Sequence, residues 1–148
     1  DIYKIYVIGI SGSSMSNTRF SFRVNVGGTA QTGSNYYYMG YIFQNGTSNI
    51  GWTNSTGGTY STVGYVDNST GSTAQGNLEM TIYRPLATDK TAINSEMLAW
   101  DNGTTFLKAF NHTAWNVAEA ISGITLAVGE FGTGNIEADR ILVYGLKI

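Results

Sequence analysis

Hydrophobic and polar positions in this chain alternate repeatedly at a period of two. Over residues 18–26, Phe20, Phe22, Val24 and Val26 face one way while Arg19, Ser21, Arg23 and Asn25 face the other, the pattern of a half-buried antiparallel strand. Gly27-Gly28 then marks a turn. Residues 34–44 (SNYYYMGYIFQ) are dense in strand-favouring rings and end at the turn signal Asn45-Gly46. In residues 77–84, Leu78, Met80 and Ile82 share one face, and Pro85 closes the run where no ladder donor is needed. Residues 92–100 and 105–110 flank Asp101-Asn102-Gly103, a hairpin turn. Ile124, Leu126 and Val128, then Ile141 and Val143, mark the last two strands. The stretch 49–76 is rich in Gly, Ser, Thr and Asn with scattered aromatics. It predicts exposed loops, with a short strand over 60–66. Residues 111–113 read as a loop, and 114–120 is the one stretch that predicts a helical turn.

The first and last strands, IYKIYVIGI and RILVYGLKI, carry bulky residues on both faces. They are expected to pair near a sheet centre or to lie beneath a neighbouring subunit. About eight strands at ~8–20-residue spacing predict an all-β chain, an antiparallel, jelly-roll-like β-sandwich spanning residues 1–148 as a single domain. Neither internal repeats nor a domain boundary interrupts it.

Composition narrows the function. A chain of 148 residues can bury a real core. Charged residues make up only 12%, about half the usual ~25%. A net charge of −2 supplies no electrostatic footprint for nucleic acid or an anionic membrane, and Arg19 with Arg23 on one strand face is not a basic patch. With no cysteine there is neither a disulfide framework nor a thiolate metal site, which favours a bacterial or phage origin over a secreted eukaryotic one. No apolar run approaches the ~20 residues of a membrane helix. The chain opens directly on a strand, the start expected of a C-terminal domain cut from a longer polypeptide.

Candidate chemistry is sparse. His112 is the sole histidine; no G-x-S-x-G elbow accompanies it, and one imidazole does not make a zinc set. The acids Asp67, Glu79, Glu96, Asp101, Glu119, Glu130, Glu137 and Asp139 are scattered, although a fold can assemble the paired carboxyls of a glycosidase. Calcium at Asp67, Asp101 or Glu137-x-Asp139 lacks a dense acidic loop. No catalytic residue, metal or cofactor is therefore expected. Five N-x-S/T sequons begin at Asn45, Asn54, Asn68, Asn102 and Asn111, a number that composition alone produces.

The aromatics are the better lead, because an exposed ring can stack on the apolar face of a sugar while amides and hydroxyls bond its edges. Trp52 with Asn54, Trp115 with Asn116, and Tyr60 and Tyr65 in the polar central region are the candidate ligand contacts. The other reading of these rings is as loop anchors over the sandwich ends. Trp100, at a strand end, is assigned to the core. Within the stripe 36–41, Tyr36 and Tyr38 share one face and Tyr37 and Tyr41 the other. One set must turn away from the core, so Tyr37 and Tyr41 are the candidate subunit interface.

Residues 121–148 carry a further signal. Ile121-Ser122-Gly123-Ile124, Gly134-Asn135-Ile136 and Ile141-Leu142-Val143-Tyr144-Gly145-Leu146-Lys147 follow in order. This ending resembles that of a β-sandwich domain on tailed-phage virion proteins such as tail fibres and receptor-binding tips. Residues 2–10, Arg19 to Gly28, Ser34 to Tyr38 and Gly76 to Pro85 are similar to its earlier motifs, so the resemblance covers nearly the whole chain. Glu137-Ala138-Asp139 departs from it, standing where a small residue and Gly are usual, which puts the final turn in question. The resemblance implies a virion location, other virion proteins as partners, and a homotrimer.

Together these readings predict a non-enzymatic virion surface domain that attaches to a bacterial cell-surface glycan or protein, with neither nucleic-acid binding nor membrane insertion. The alternatives are a structural capsid-decorating, collar or assembly domain, a carbohydrate-binding module of a bacterial protein, and, more remotely, a depolymerase.

Overall fold

Strands form wherever the period-two pattern runs. The computed structural model describes residues 1–13, 18–45, 50–51, 55–66, 76–101, 105–128 and 135–147. In chain order they form β1 (Ile2–Ser13), β2 (Thr18–Val26), β3 (Thr29–Ala30), β4 (Tyr36–Gln44), β5 (Ile50–Gly51), β6 (Ser55–Gly58), β7 (Ser61–Val66), β8 (Gly76–Tyr83), β9 (Thr91–Asp101), β10 (Thr105–Trp115), β11 (Gly123–Val128), β12 (Asn135–Glu137) and β13 (Arg140–Leu146). Nine of these have six or more residues, close to the eight expected, and the rest are short. No helix occurs among the described residues.

The strands make two antiparallel sheets that face each other. The large sheet runs β12-β1-β8-β9-β10-β4-β5, with β13 also on β1 and β6 also on β4. The small sheet runs β11-β2-β3, with β7 also on β2. The chain crosses repeatedly between the two, the wrapping path of a jelly-roll-like sandwich. Gly27 and Gly28, at φ 57° and 81°, form the two-residue turn that joins β2 to β3, a conformation that glycine adopts without cost.

Alternation sorts the core. On the large sheet the inward positions include Val7, Leu78, Met80, Ile82, Ile93, Met97, Ala109 and Trp115; on the small sheet they include Phe20, Phe22, Val24 and Val63, all buried. Burial of each Val, Leu, Ile, Met or Phe side chain among them contributes roughly 1.5–3 kcal/mol. The sheets approach closely at Gly64, where a Cβ would lie 2.8 Å from Met97 Sδ and 3.4 Å from Ala109 Cβ.

The structure corrects several sequence expectations. β1 and β13 do pair, from Ile2↔Leu146 to Ile8↔Arg140, but at one side of the sheet rather than near its centre. β13 has β1 as its one partner among the described strands. Residues 111–113 are not a loop and 114–115 not a helical turn: β10 runs through both. Its inner face there holds polar Asn111 and Thr113, which masked the alternation. Trp100 is not in the core but 44% exposed on the outer face, edge-on to Phe106 with ring centroids 5.5 Å apart.

The departure at Glu137-Ala138-Asp139 finds its place in a bulge of β1. Gly9, at φ 67°, sits where the β1–β8 register shifts, and its absent side chain leaves room for the Asp139 carboxylate. Asp139 N–H then donates to Ile8 O at 2.9 Å, which starts β13 in register.

Candidate binding face

Half the residues of the large sheet point away from the core, and many of them are large and apolar. In β4, Tyr37, Met39, Tyr41 and Phe43 are 40–59% exposed, while Tyr36 and Tyr38 are buried. The alternation read from the stripe is therefore the observed one, and Tyr37 and Tyr41 lie on open surface.

Register carries this face across six strands. One row holds Tyr41, Phe110, Glu96, Glu79, Tyr6 and Leu142, from β4 to β13. The next holds Met39, His112, Asn94, Thr81, Lys4 and Tyr144, and the third Tyr37, Ala114, Ala92, Tyr83, Ile2 and Leu146. At ~4.8 Å per strand spacing, the rows are about 24 Å long.

Charge sits in the middle of this face. Glu79 and Glu96 are directly opposed, which alone would be destabilising. Lys4 Nζ reaches Glu79 Oε1 at 2.8 Å and Lys108 Nζ reaches Glu96 Oε1 at 2.7 Å. The resulting ladder, Lys4–Glu79–Glu96–Lys108, balances itself. The Glu79 carboxylate, bonded to Lys4, raises that lysine's pKa. These pairs are exposed, so they set local pattern more than stability. The fold does bring two carboxyls together, as a glycosidase requires, but each is held by a lysine on an open sheet.

Two shallow grooves lie on the outer face. One, of about 480 Å³, is lined by Tyr37, Met39, Thr56, Ala92, Asn94, His112 and Ala114 among others. The second, of about 430 Å³, lies between Tyr83, Lys4, Tyr144 and Leu146. His112 Nδ1 is 2.9 Å from Asn94 Oδ1, and Asn94 Nδ2 donates to the Tyr83 hydroxyl at 3.5 Å. Because a carbonyl oxygen only accepts, Nδ1 carries the ring proton, which in the neutral imidazole leaves Nε2 as the acceptor.

A different opening lies between the sheets beside β13. This apolar cleft of about 390 Å³ is lined by Tyr3, Ile5, Leu86, Ile124, Leu126, Ile141 and Val143 among others. Ile141 and Val143 face into it, and Tyr144 and Leu146 face out, all 57–61% exposed.

Of the loop-borne site read from the sequence, the structure moves Trp115 into the core. Trp115 is the last residue of β10, 1% exposed, with its ring centroid 4.9 Å from that of Tyr36. Both faces are in the core, so it anchors rather than stacks on a ligand. Asn116 is half-buried, its N–H held by Asn35 O at 3.1 Å. Tyr60 is half-buried beside the start of β7. Tyr65 lies in β7 with its side chain outside the described residues, and Trp52 and Asn54 lie outside them altogether. Among the described residues no group of three or more metal-ligating side chains occurs; Asp67 and the Asp101 side chain lie outside that set. Asn111, which opens a sequon, is fully buried and engaged in the core.

The sequence singled out His112 only as a lone catalytic or zinc candidate in a loop, and nothing in residue type marked Asn94 or the alanine pair. The signal that could have found them is the run Phe106, Lys108, Phe110, His112, Ala114, an outward series that continues past the point where a loop was expected.

Compared with protein-family models, curated proteins and solved structures, the chain finds no significant match in any of the three.

Proposed function

We propose that this is a non-enzymatic surface-recognition domain of a tailed-phage virion, and that the outer face of its large sheet contacts glycans on the bacterial host. The observation that carries this reading is the set of exposed rings on that face, interleaved with neutral and ion-paired polar groups. Soluble monomers seldom leave a broad apolar face without a use, and flat rings beside amide, imidazole and hydroxyl groups suit the two-sided chemistry of a sugar. A shallow site of this kind binds weakly, and several copies on one particle raise avidity by ~10²–10⁴. The lysine-held Glu79–Glu96 pair on an open sheet favours binding over hydrolysis. The virion assignment is supported by the chain-long resemblance of its motifs.

The test is binding of labelled, artificially multimerised domain to candidate host cells, with soluble polysaccharides as competitors. Selective binding that one glycan competes away, and that Tyr41→Ala or Phe43→Ala reduces at least tenfold, supports the reading. No binding to any host, or binding indifferent to both changes, rejects it.

β13 favours a second reading, a structural role within the virion. It is apolar on both faces at the side of the sheet, where monomeric proteins usually place charge or proline. Other virion proteins, or two further copies in a homotrimer, would cover it. A mass of three chains by light scattering, reduced to one by Val143→Lys, supports this role; a monomer at high concentration counts against it.

A further inference from the structure

We propose that the hollow over Ala92 and Ala114 is a subsite for a neutral pyranose, the first unit of an oligosaccharide lying across the strands. This deepens the glycan-recognition reading and rests on it.

The row Tyr37, Ala114, Ala92, Tyr83 places two methyl-sized side chains directly opposite each other between two tyrosines. The floor is low because of residue size alone, and the tyrosines stand three strand spacings apart, about 14 Å. Tyr37 is 40% exposed and Tyr83 37%, so each keeps ring surface for the C–H face of a sugar. The adjacent row supplies the polar side. His112 leaves Nε2 as an acceptor, Asn94 keeps its second amide hydrogen as a donor, and the Tyr83 hydroxyl, accepting from Asn94, keeps its own hydrogen to donate. An acceptor beside two donors matches neighbouring sugar hydroxyls, each of which both donates and accepts.

Charge sets the ligand class. His112, Asn94, Ala92, Ala114 and Tyr37 bring no carboxylate and no lysine to the hollow. The nearest acid in register, Glu96, is occupied by Lys108. A neutral sugar fits this better than a uronic or sialic acid. The groove between Tyr83 and Tyr144 lies further along the same two rows, so a chain leaving the hollow past Tyr83 meets a second ring-walled seat.

The test is titration of the whole domain with methyl glycosides of glucose, galactose, mannose and N-acetylglucosamine, followed by amide chemical shifts. The expected result is binding on the order of millimolar by at least one glycoside, with shifts centred on residues 37, 92, 94, 112 and 114. Ala114→Leu, which fills the hollow from an exposed position, and Asn94→Ala should each weaken binding at least tenfold, with Lys90→Ala unchanged. Two results overturn the subsite: no shifts up to about 50 mM of any glycoside, or equal affinity in Ala114→Leu. Host-cell binding that survives Ala114→Leu would overturn the subsite and leave the recognition face standing. Absence of cell binding by the unaltered domain would remove both.

Discussion

The hydroxyl of Tyr36, on the large sheet, accepts the backbone N–H of Val24, on the small sheet, at 3.0 Å. The same hydroxyl donates to Gln31 O at 3.0 Å. One phenol thus ties the two layers together and satisfies backbone groups that the sandwich would otherwise bury unpaired. Phe22, edge-on at 6.4 Å, and Trp115, tilted at 4.9 Å, flank its ring.

Tyr36→Phe keeps the ring and removes both bonds. The variant should lose about 1–3 kcal/mol of stability with its fold unchanged, read from the midpoint of urea unfolding. A loss below about 0.5 kcal/mol would mean that the tie is dispensable.

Burial also pushes the Tyr36 phenol up to about 12, from 10.0. The neutral form is the one the fold stabilises. The unfolded chain releases this proton near pH 10 while the folded chain keeps it, so the contribution is full below pH 10. It is lost as pH rises towards 12. Stability should fall by up to about 2 kcal/mol over that window beyond whatever Tyr36→Phe shows. Parallel curves for the two proteins would refute the assignment.

Asn111 is a second tie. Its amide nitrogen bonds Ser61 Oγ at 3.0 Å and the carbonyl of Thr62, joining β10 to β7, while Ser61 and Thr113 hydroxyls lie 2.6 Å apart. Asn111→Ala should cost about 2–3 kcal/mol, since it strands buried polar partners as well as losing bonds. Thermal unfolding with a calorimeter measures it.

Gly64 and Met97 form a packing pair. Gly64→Val should destabilise by about 1–3 kcal/mol through overpacking against Met97 Sδ. In a double-mutant cycle with Met97→Ala the costs should fall short of additivity by at least about 0.5 kcal/mol, because the smaller side chain makes room. Strict additivity would place the clash elsewhere.

Gly9→Ala meets two penalties, a left-handed backbone and the Asp139 carboxylate. The backbone alone costs about 1–2 kcal/mol. Asp139→Gly should recover part of the loss, and hydrogen exchange should show β13 released before the sheet centre.

Sequence alone determined the class of this protein, because period-two alternation leaves no other way to bury Phe20, Phe22, Leu78, Met80 and Ile82 on common faces. It determined which tyrosines of β4 point outward for the same reason. It also suggested that the terminal strands pair, since both are apolar on two sides. Tertiary structure decided the rest. Whether an apolar residue is core depends on whether the second sheet lies over it, and β7 covers the centre of the large sheet's inner face. Trp100, on the opposite face, therefore stays exposed, while Trp115, which looked loop-borne, is buried in the core beside Tyr36. The face over Ala92 and Ala114 was equally out of reach, because four residues from four strands meet there only through cross-strand register.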